Sequence, residues 1–185
     1  NQLAVLGALL LLFLTAYCLH SMGRIWMAES GVVYFWVADA WSDQNSQHLS
    51  DPYSFSHLLH GVLFFGLLYG LRNRFSFSWR LNIALFIEAL WELLENSSLV
   101  INRYRDAGAL GYSGDTVLNS MGDLLACALG FLLASVLGLK KSIVLFIAVE
   151  MIMLYSIRDS LILNCIMLIH PIEAIKQWQS VMTSF

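Results

Sequence analysis

The chain has 185 residues, of which 58% are hydrophobic and only 12% are charged, and its formal net charge is −3. Soluble domains carry about twice that charged fraction, so the composition excludes an ordinary soluble domain and indicates an all-α integral membrane protein. The net negative charge offers no basic surface for nucleic acid. The length allows one transmembrane domain over residues 1–185 and no separate soluble domain.

Apolar runs predict a bundle of about five transmembrane helices. The predicted spans are residues 3–20, 56–71, 81–100, 116–139 and 142–169. A long, partly structured loop over residues 23–55 follows the first span, and its aromatic segment 32–37 fits either one strand or an interfacial helix. After His170 and Pro171, residues 172–181 predict a short amphipathic helix.

Positive charges are distributed unequally between the two ends of the predicted bundle. Five cations lie in the second and fourth connections, namely Arg72, Arg74, Arg80, Lys140 and Lys141. The opposite loops contain arginines diluted by acidic residues. The positive-inside rule therefore places the N-terminus in the cytoplasm and the C-terminus at the outer face.

Three glutamates, Glu88, Glu92 and Glu95, recur at positions i, i+4 and i+7 near the end of the third predicted span. On a period of 3.6 residues they share one helix face. An ionised side chain inside a bilayer costs roughly 2.5–3.5 kcal/mol on insertion scales, so three on one stripe require partners. The rest of the chain offers candidate partners in His57, His60, Arg103, Arg105, Asp115, Asn119 and Asp123.

The predicted orientation brings polar residues from four spans to the outer face. They are His57 and His60, Glu92 and Glu95, Asp115 and Asn119, and Arg158 with Asp159. Because helix ends attract charge in any case, this convergence suggests a site without establishing one.

Each of these groups also has a structural interpretation. The two histidines at the start of a span can be interface residues. Asp115 suits a helix N-cap, because Thr116 opens an apolar run. The three glutamates can form structural ion pairs with Arg103, Arg105 and Arg158.

The functional interpretation takes two forms. Histidines and carboxylates on facing helices are the ligand set of bundle-core metal centres, so His57, His60, Glu92 and Asp115 are candidate ligands of zinc, iron or manganese. Without a metal, clustered carboxylates can keep one member protonated as an acid and another ionised as a base. The catalytic candidates are Glu92 as base or ligand, Glu95 and Asp115 as its partners, and the two histidines.

Longer motifs cover the chain from about residue 45 to residue 179: Asn45-Ser-Gln-His48, Ser56-His57-x-x-His60-Gly61, Glu88-Ala-x-Trp91-Glu92-x-x-Glu95-Asn96-Ser97, Ile101-Asn-Arg-Tyr-Arg105, Gly114-Asp115-x-x-x-Asn119-Ser120-x-x-Asp123 and Ile157-Arg158-Asp159. Together they closely resemble a family of bacterial inner-membrane proteins known as a domain of unknown function. The resemblance implies a bacterial inner-membrane protein, and the charge distribution described above predicts that its polar site faces the periplasm. It implies no particular activity.

A shorter pattern resembles the VanZ-like superfamily, membrane proteins linked to glycopeptide resistance. That pattern is a histidine opening one span, an acidic residue with a polar residue three positions later, an arginine, and D-x-x-x-N-x-x-G. Here it falls on His57 or His60, Glu92 with Glu95, Arg103 or Arg105, and Asp115 to Gly122. A glutamate stands where the superfamily usually has glutamine. This resemblance implies a role in the cell envelope.

The sequence therefore predicts a hydrolase or transferase that acts on a lipid-linked or cell-envelope substrate within the bilayer. The expected substrate-binding residues are Asn96, Arg103, Arg105, Asn119 and Arg158, with the arginines holding an anionic headgroup. The alternative is a non-enzymatic binding or assembly protein whose cluster is an ion-pair network or a ligand pocket. A proton-coupled transporter is a third interpretation, although only Glu88, Asp123 and Glu150 lie deep in the predicted spans.

Overall fold

The computed structural model describes residues 2–109 and 111–180, and helices account for all the regular structure in them. A single 3₁₀ turn, Tyr69–Leu71, follows the second helix. The seven α-helices are α1 Gln2–Ser21, α2 Ser54–Leu68, α3 Phe77–Glu95, α4 Ser98–Ala107, α5 Val117–Ile157, α6 Leu161–Ile169 and α7 Glu173–Ser180. The predicted all-α fold is confirmed for these residues.

Three helical stretches are long and apolar enough to cross a membrane: Gln2–Ser21, Ser54–Leu71 and Val117–Ile157. Their outer surfaces carry large apolar side chains that the protein leaves uncovered, such as Phe13 at 67% and Val136 at 86% exposure. A continuous apolar surface of this kind indicates a membrane or partner contact. The third predicted span corresponds to α3, which carries Arg80 and three glutamates and is therefore far less apolar.

The longest helix, α5, contains a sharp break at Gly138, whose φ is +73°. Asp123 and Met153 would lie about 45 Å apart in one straight helix. They nevertheless contact Ser54 and Ser56, which lie in the first turn of α2. The two halves of α5 therefore run antiparallel, and the reversal lies just before the predicted boundary between the fourth and fifth spans.

The predicted fifth span, residues 142–169, is interrupted. Arg158 adopts the left-handed conformation with a φ of 54°, and α6 begins only at Leu161. The carboxylate of Glu150 accepts hydrogen bonds from the backbone N–H groups of Leu161 (2.9 Å) and Ile162 (3.2 Å). This acidic side chain therefore satisfies the free N-terminus of α6 and makes the break favourable.

The predicted third span, residues 81–100, also ends earlier than expected. Helix α3 stops at Glu95, and Ser97 caps a separate helix α4 by accepting a hydrogen bond from the backbone N–H of Val100 at 3.4 Å. The predicted C-terminal helix is confirmed as α7, although residue 181 lies outside the described residues.

Helices α2 and α5 pack at backbone contact, and glycines make this possible. A Cβ atom on Gly61 would lie 1.9 Å from the carbonyl oxygen of Cys127, and one on Gly130 would lie 1.9 Å from that of Leu58. A side chain at either position would force the two helices apart. The close contact brings the polar face of α2 directly against α5.

The first loop forms neither the strand nor the interfacial helix that were the alternatives for residues 32–37. It covers the start of α5, where the backbone N–H groups of Val117 and Leu118 donate to the carbonyl oxygens of Ile25 and Trp26 at 2.9 and 3.1 Å. The N-cap of α5 is Thr116 and not Asp115, which leaves the Asp115 carboxylate available for other contacts.

Candidate functional site

Charged and polar side chains are buried together where α2 begins, α3 ends and α5 begins. The periodicity of α3 places its three glutamates on the face that meets α2 and α5. The buried ionisable members of this acidic cluster are His57, Glu88, Glu92, Glu95, Asp115 and Asp123, and His60 lies half-buried beside them. All seven of these side chains are among the stripe residues or candidate partners named from the sequence, and they do converge.

Glu88 holds both histidines of α2. The Nδ1 atom of His57 donates to Glu88 Oε1 at 2.6 Å, and the Nδ1 atom of His60 donates to the same carboxylate at 3.0 Å. An ionised carboxylate only accepts hydrogen bonds, so both imidazoles carry their proton on Nδ1 in these contacts. The Nε2 atom of His57 is then free to accept or to bind an ion.

Glu92 lies one helical turn further along α3 and is 0% exposed. Its Oε1 atom is 3.3 Å from His57 Nδ1, but neither Glu92 oxygen receives a hydrogen bond. Glu92 and His57 are therefore within ion-pair distance but do not form a hydrogen bond, because the Nδ1 proton of His57 is directed at Glu88. A fully buried, ionised carboxylate without a donor is strongly destabilising unless it takes up a proton or a positive partner is bound.

Two tyrosines outside the long helices approach the other carboxylates. Tyr104 of α4 donates to Glu95 Oε1 at 2.7 Å, and Tyr112 donates to Asp115 Oδ1 at 2.9 Å. Asn96 also donates to Asp115 Oδ2 at 2.8 Å. Burial raises the pKa of Asp115, and the hydrogen bonds from Asn96 and Tyr112 oppose that rise. The remaining oxygen of Glu95, Oε2, has no donor.

Asp123 completes the cluster from α5. Its Oδ1 atom accepts a hydrogen bond from Ser54 at 2.8 Å, and its Oδ2 atom lies 3.9 Å from His57 Nε2. This separation is too long for a hydrogen bond but suits two atoms that bind the same ion.

Three overlapping groups of side chains have ligand atoms within 4.8 Å of one another. They are His57 with His60 and Glu88, His57 with Glu92 and Asp123, and Glu92 with Glu95 and Asp115. The first is already satisfied by internal hydrogen bonds. The other two share Glu92 and contain the unpartnered oxygens, so they are the candidate metal site.

A cavity of about 890 Å³ opens onto the cluster. Its volume lies in the range of pockets that hold small-molecule ligands. Aromatic side chains line it beside the charged ones, including Trp41, Tyr53 and Trp91, and Arg105 and Lys176 also contribute to its wall. Both histidines, Glu95, Asp115, Asn119 and Asp123 also line the cavity.

The predicted arginine partners do not pair with the cluster. Arg103 donates to the carbonyl oxygens of Leu168 and Ile169 at the end of α6, and Arg158 donates to the carbonyl oxygen of Trp178 in α7. Within residues 2–109 and 111–180, no lysine or arginine lies within 4.0 Å of a cluster carboxylate. The structural alternative of ion pairs with Arg103, Arg105 and Arg158 is therefore not found among these residues, because the three guanidinium groups donate to backbone carbonyl oxygens instead.

The other predicted binding residues serve mainly to hold the cluster in place. Arg105 donates to the carbonyl oxygen of Tyr112 at 2.7 Å while lining the cavity. Asn119 donates to the carbonyl oxygen of His48 at 2.8 Å and to Asp51 at 3.2 Å, which fixes the first loop to α5. Asn96 fixes Asp115, as described above.

The sequence-based site omitted Glu88 and Asp123 from its catalytic and metal residues, and Tyr104 and Tyr112 altogether. Glu88 lies deep in the predicted third span, and it is the hydrogen-bond partner of His57. A signal existed for Asp123, which follows Asn119 by one helical turn on the same face. The tyrosines gave no signal, because their approach depends on the unpredicted helix α4 and on the loop after it.

Comparison with known proteins places the chain among bacterial relatives. The family model described as "Protein of unknown function (DUF2585)" matches residues 19–181. A UPF0314 protein of Sphingopyxis alaskensis is 46% identical over 176 residues, covering 95% of this chain and 94% of the relative. UPF0314 proteins of Sinorhizobium fredii and Rhizobium meliloti are 46% and 45% identical over 179 residues, covering 96% of this chain and 89% of each relative. No solved structure matches the chain.

Proposed function

We propose that this chain, which belongs to the DUF2585 family, is a metal-dependent hydrolase or transferase that acts on a lipid-linked substrate at the outer face of the bacterial inner membrane. One observation carries the proposal. Glu92 is fully buried, both of its oxygens lack a hydrogen-bond donor, and it lies between two sets of ligating side chains. A divalent cation supplies the missing positive partner.

The acid–base alternative without a metal is less favourable on electrostatic grounds. The cluster contains five acidic side chains on α3, α5 and the loop before α5, and the histidines are already engaged by Glu88. Carboxylates this close repel one another when ionised, and burial adds a desolvation penalty to each. A bound cation offsets both the repulsion between the carboxylates and the cost of burying their charges.

The helices and the charges support a proposed membrane arrangement. Helices α1 and α2, α3 and the two antiparallel halves of α5 would supply five crossings. Arg72 and Arg74 follow α2 at the end of the bundle opposite His57, so the positive-inside rule favours an orientation with the cluster toward the periplasm. The exposed aromatic residues of the first loop, Tyr34, Phe35 and Trp36, lie on the cluster side and suit the bilayer interface.

The cavity suits an amphiphile with its polar group at the cluster. Aromatic walls accept an apolar chain, while Arg105 and Lys176 provide positive charge for an anionic headgroup. A bound cation would polarise the scissile ester and lower the pKa of an attacking water. The chain's own contribution would be to orient the substrate and to exclude bulk water from the cluster.

The experiment compares membrane lipids in a deletion strain complemented with the wild type, Glu92→Gln or Glu29→Gln. Glu29 is exposed in the first loop, so Glu29→Gln makes the same chemical change away from the cluster. We expect the empty strain and the Glu92→Gln strain to accumulate the same amphiphile, detected by mass spectrometry, and the Glu29→Gln strain to match the wild type. Full complementation by Glu92→Gln would contradict the proposal, and unchanged lipids in every strain would favour a non-enzymatic binding protein.

A further inference from the structure

We infer that the acidic cluster binds two divalent cations and that the carboxylate of Glu92 bridges them. The inference rests on the metal-dependent function proposed above and adds the number of ions and the ligands of each. The first ion would be bound by His57, Glu92 and Asp123, and the second by Glu92, Glu95 and Asp115.

The two ligand sets overlap only at Glu92. Each set brings three ligand atoms within 4.8 Å of one another, and the sets approach Glu92 from different elements. Both Glu92 oxygens lack a donor, so each is available for a different ion. A buried carboxylate with two free oxygens between two ligand sets is the arrangement that a bridging ligand requires, and paired ions in proteins lie about 3.5–4 Å apart.

The formal charges also favour two ions. Glu92, Glu95, Asp115 and Asp123 together carry four negative charges when ionised. Among the described residues no lysine or arginine lies within ion-pair distance of any of them. Two divalent cations neutralise the four carboxylates, whereas one ion leaves two buried negative charges without a cationic partner.

Glu88 prepares His57 to act as a ligand. Because His57 donates its Nδ1 proton to Glu88 at 2.6 Å, its Nε2 lone pair is directed away from Glu88 and lies 3.9 Å from Asp123 Oδ2. Two atoms that bind one ion at about 2.0–2.2 Å lie about 3–4 Å apart. A carboxylate that orients a ligating imidazole in this way is the usual outer partner of a metal-bound histidine.

The second ion would have oxygen ligands only. The free Oε2 atom of Glu95 has no donor, while hydrogen bonds from Tyr104 and Tyr112 hold the other oxygen of Glu95 and one oxygen of Asp115 in place. Carboxylate-rich sets suit Mn²⁺ and Mg²⁺ better than softer ions. Both ligand sets reach the cavity wall through Glu95, Asp115, Asp123 and His57, so ions and substrate can meet there.

The test uses the full chain, purified in detergent, stripped with EDTA and then titrated with Mn²⁺. Equilibrium dialysis counts the bound ions, and electron paramagnetic resonance reports whether they are coupled. We expect two ions per chain and an exchange-broadened spectrum in place of the six-line signal of isolated Mn²⁺. Asp123→Asn and Glu95→Gln should each retain one ion with the isolated signal, and the exposed control Glu29→Gln should retain two coupled ions.

The outcomes separate this inference from the function on which it rests. One tightly bound ion in the wild type would overturn the two-ion site and leave a metal-dependent function standing. No bound ion would overturn both. Two coupled ions in Glu92→Gln would overturn the bridging role. Asp123→Asn and Glu95→Gln alter different helices, so if one variant does not elute as a folded protein in size-exclusion chromatography, the other is used. The number of ions bound by the wild type decides between one and two ions in either case.

Discussion

His57 and Glu88 lie on different helices, yet His57 Nδ1 and Glu88 Oε1 are 2.6 Å apart, and both side chains are buried. This contact divides the acidic cluster into two parts. Glu88 is satisfied by two imidazole donors, whereas Glu92, one turn away, receives none. The two glutamates of one helix face should therefore respond differently to the same substitution.

The first prediction compares Glu88→Gln and Glu92→Gln in EDTA-treated protein. Glu88→Gln replaces an acceptor of two imidazole donors by an amide whose NH₂ group cannot accept, so it should be less stable by about 1–3 kcal/mol. Glu92→Gln removes a buried negative charge that lacks a donor, so its melting temperature should stay the same or rise. Thermal melting in detergent measures both. A clear loss of stability in Glu92→Gln alone would indicate that Glu92 has a structural partner in the metal-free protein.

The second prediction concerns the contact between α2 and α5. It compares the same glycine-to-alanine substitution at two positions of α2, Gly61 and Gly66. The Cβ of Gly61→Ala would meet the Cys127 carbonyl oxygen at 1.9 Å, so the helices must separate, and overpacking of this kind costs about 1–3 kcal/mol. Gly66→Ala has no neighbouring atom within 4 Å and should gain up to about 1 kcal/mol from helix propensity. Melting temperatures that fall equally in both variants would show that the close contact is not responsible.

The third prediction concerns pH and Asp159. Burial raises the pKa of Asp159 to about 6, against opposing hydrogen bonds from Ser160 and Tyr53, and nearby Glu150 raises it further. The folded protein therefore keeps a proton that the unfolded chain releases near pH 4, so Asp159 makes stability fall as pH rises from about 4 to about 6. The change is on the order of 3 kcal/mol.

Asp159→Asn keeps the acceptor oxygen and removes the titration. Its melting temperature should therefore depend less on pH across this interval than that of the wild type, with the two proteins most alike near pH 4. The measurement is thermal melting at pH 4 to 7 in one detergent. Parallel curves for the two proteins would contradict the assignment to Asp159.

The fourth prediction concerns orientation. A reporter fused after Ser76 should be cytoplasmic, and one fused within residues 45–50 should be periplasmic, because the arginine-rich connection after α2 and the loop over the cluster lie at opposite ends of the bundle. Labelling of single cysteines by a membrane-impermeant reagent gives the same information. Labelling of residues 45–50 only after the membrane is opened would place the site in the cytoplasm and remove the envelope-facing part of the proposal.

The helix-face positions of the cluster residues could be predicted from the sequence. Periodicity identifies residues that share a face, and this placed Glu88, Glu92 and Glu95 together, with the two histidines on one face of α2. It says nothing about how facing helices are rotated or offset along their axes. Periodicity therefore did not reveal that His57 of α2 and Glu88 of α3 lie level with each other, as the 2.6 Å contact between them shows.

The unpredicted features depend on contacts between distant residues. Residues 142–169 read as a single long apolar span in the sequence. The structure instead breaks this segment between α5 and α6, because Glu150 satisfies the backbone N–H groups of Leu161 and Ile162. The arginines looked like partners for the glutamates by charge alone. They bind carbonyl oxygens at helix ends instead, as Arg103 does with Leu168. Apolarity and charge counts do not reveal such local competition.

The most direct test of the account is elemental analysis of protein purified without added metal. We expect the wild type to contain a divalent metal in stoichiometric amount, and Glu92→Gln, purified in parallel and equally well folded, to have lost at least half of it. Glu29→Gln should contain as much metal as the wild type. A wild-type protein that contains no metal and binds none on reconstitution would contradict the account, and so would equal metal content in wild type and Glu92→Gln.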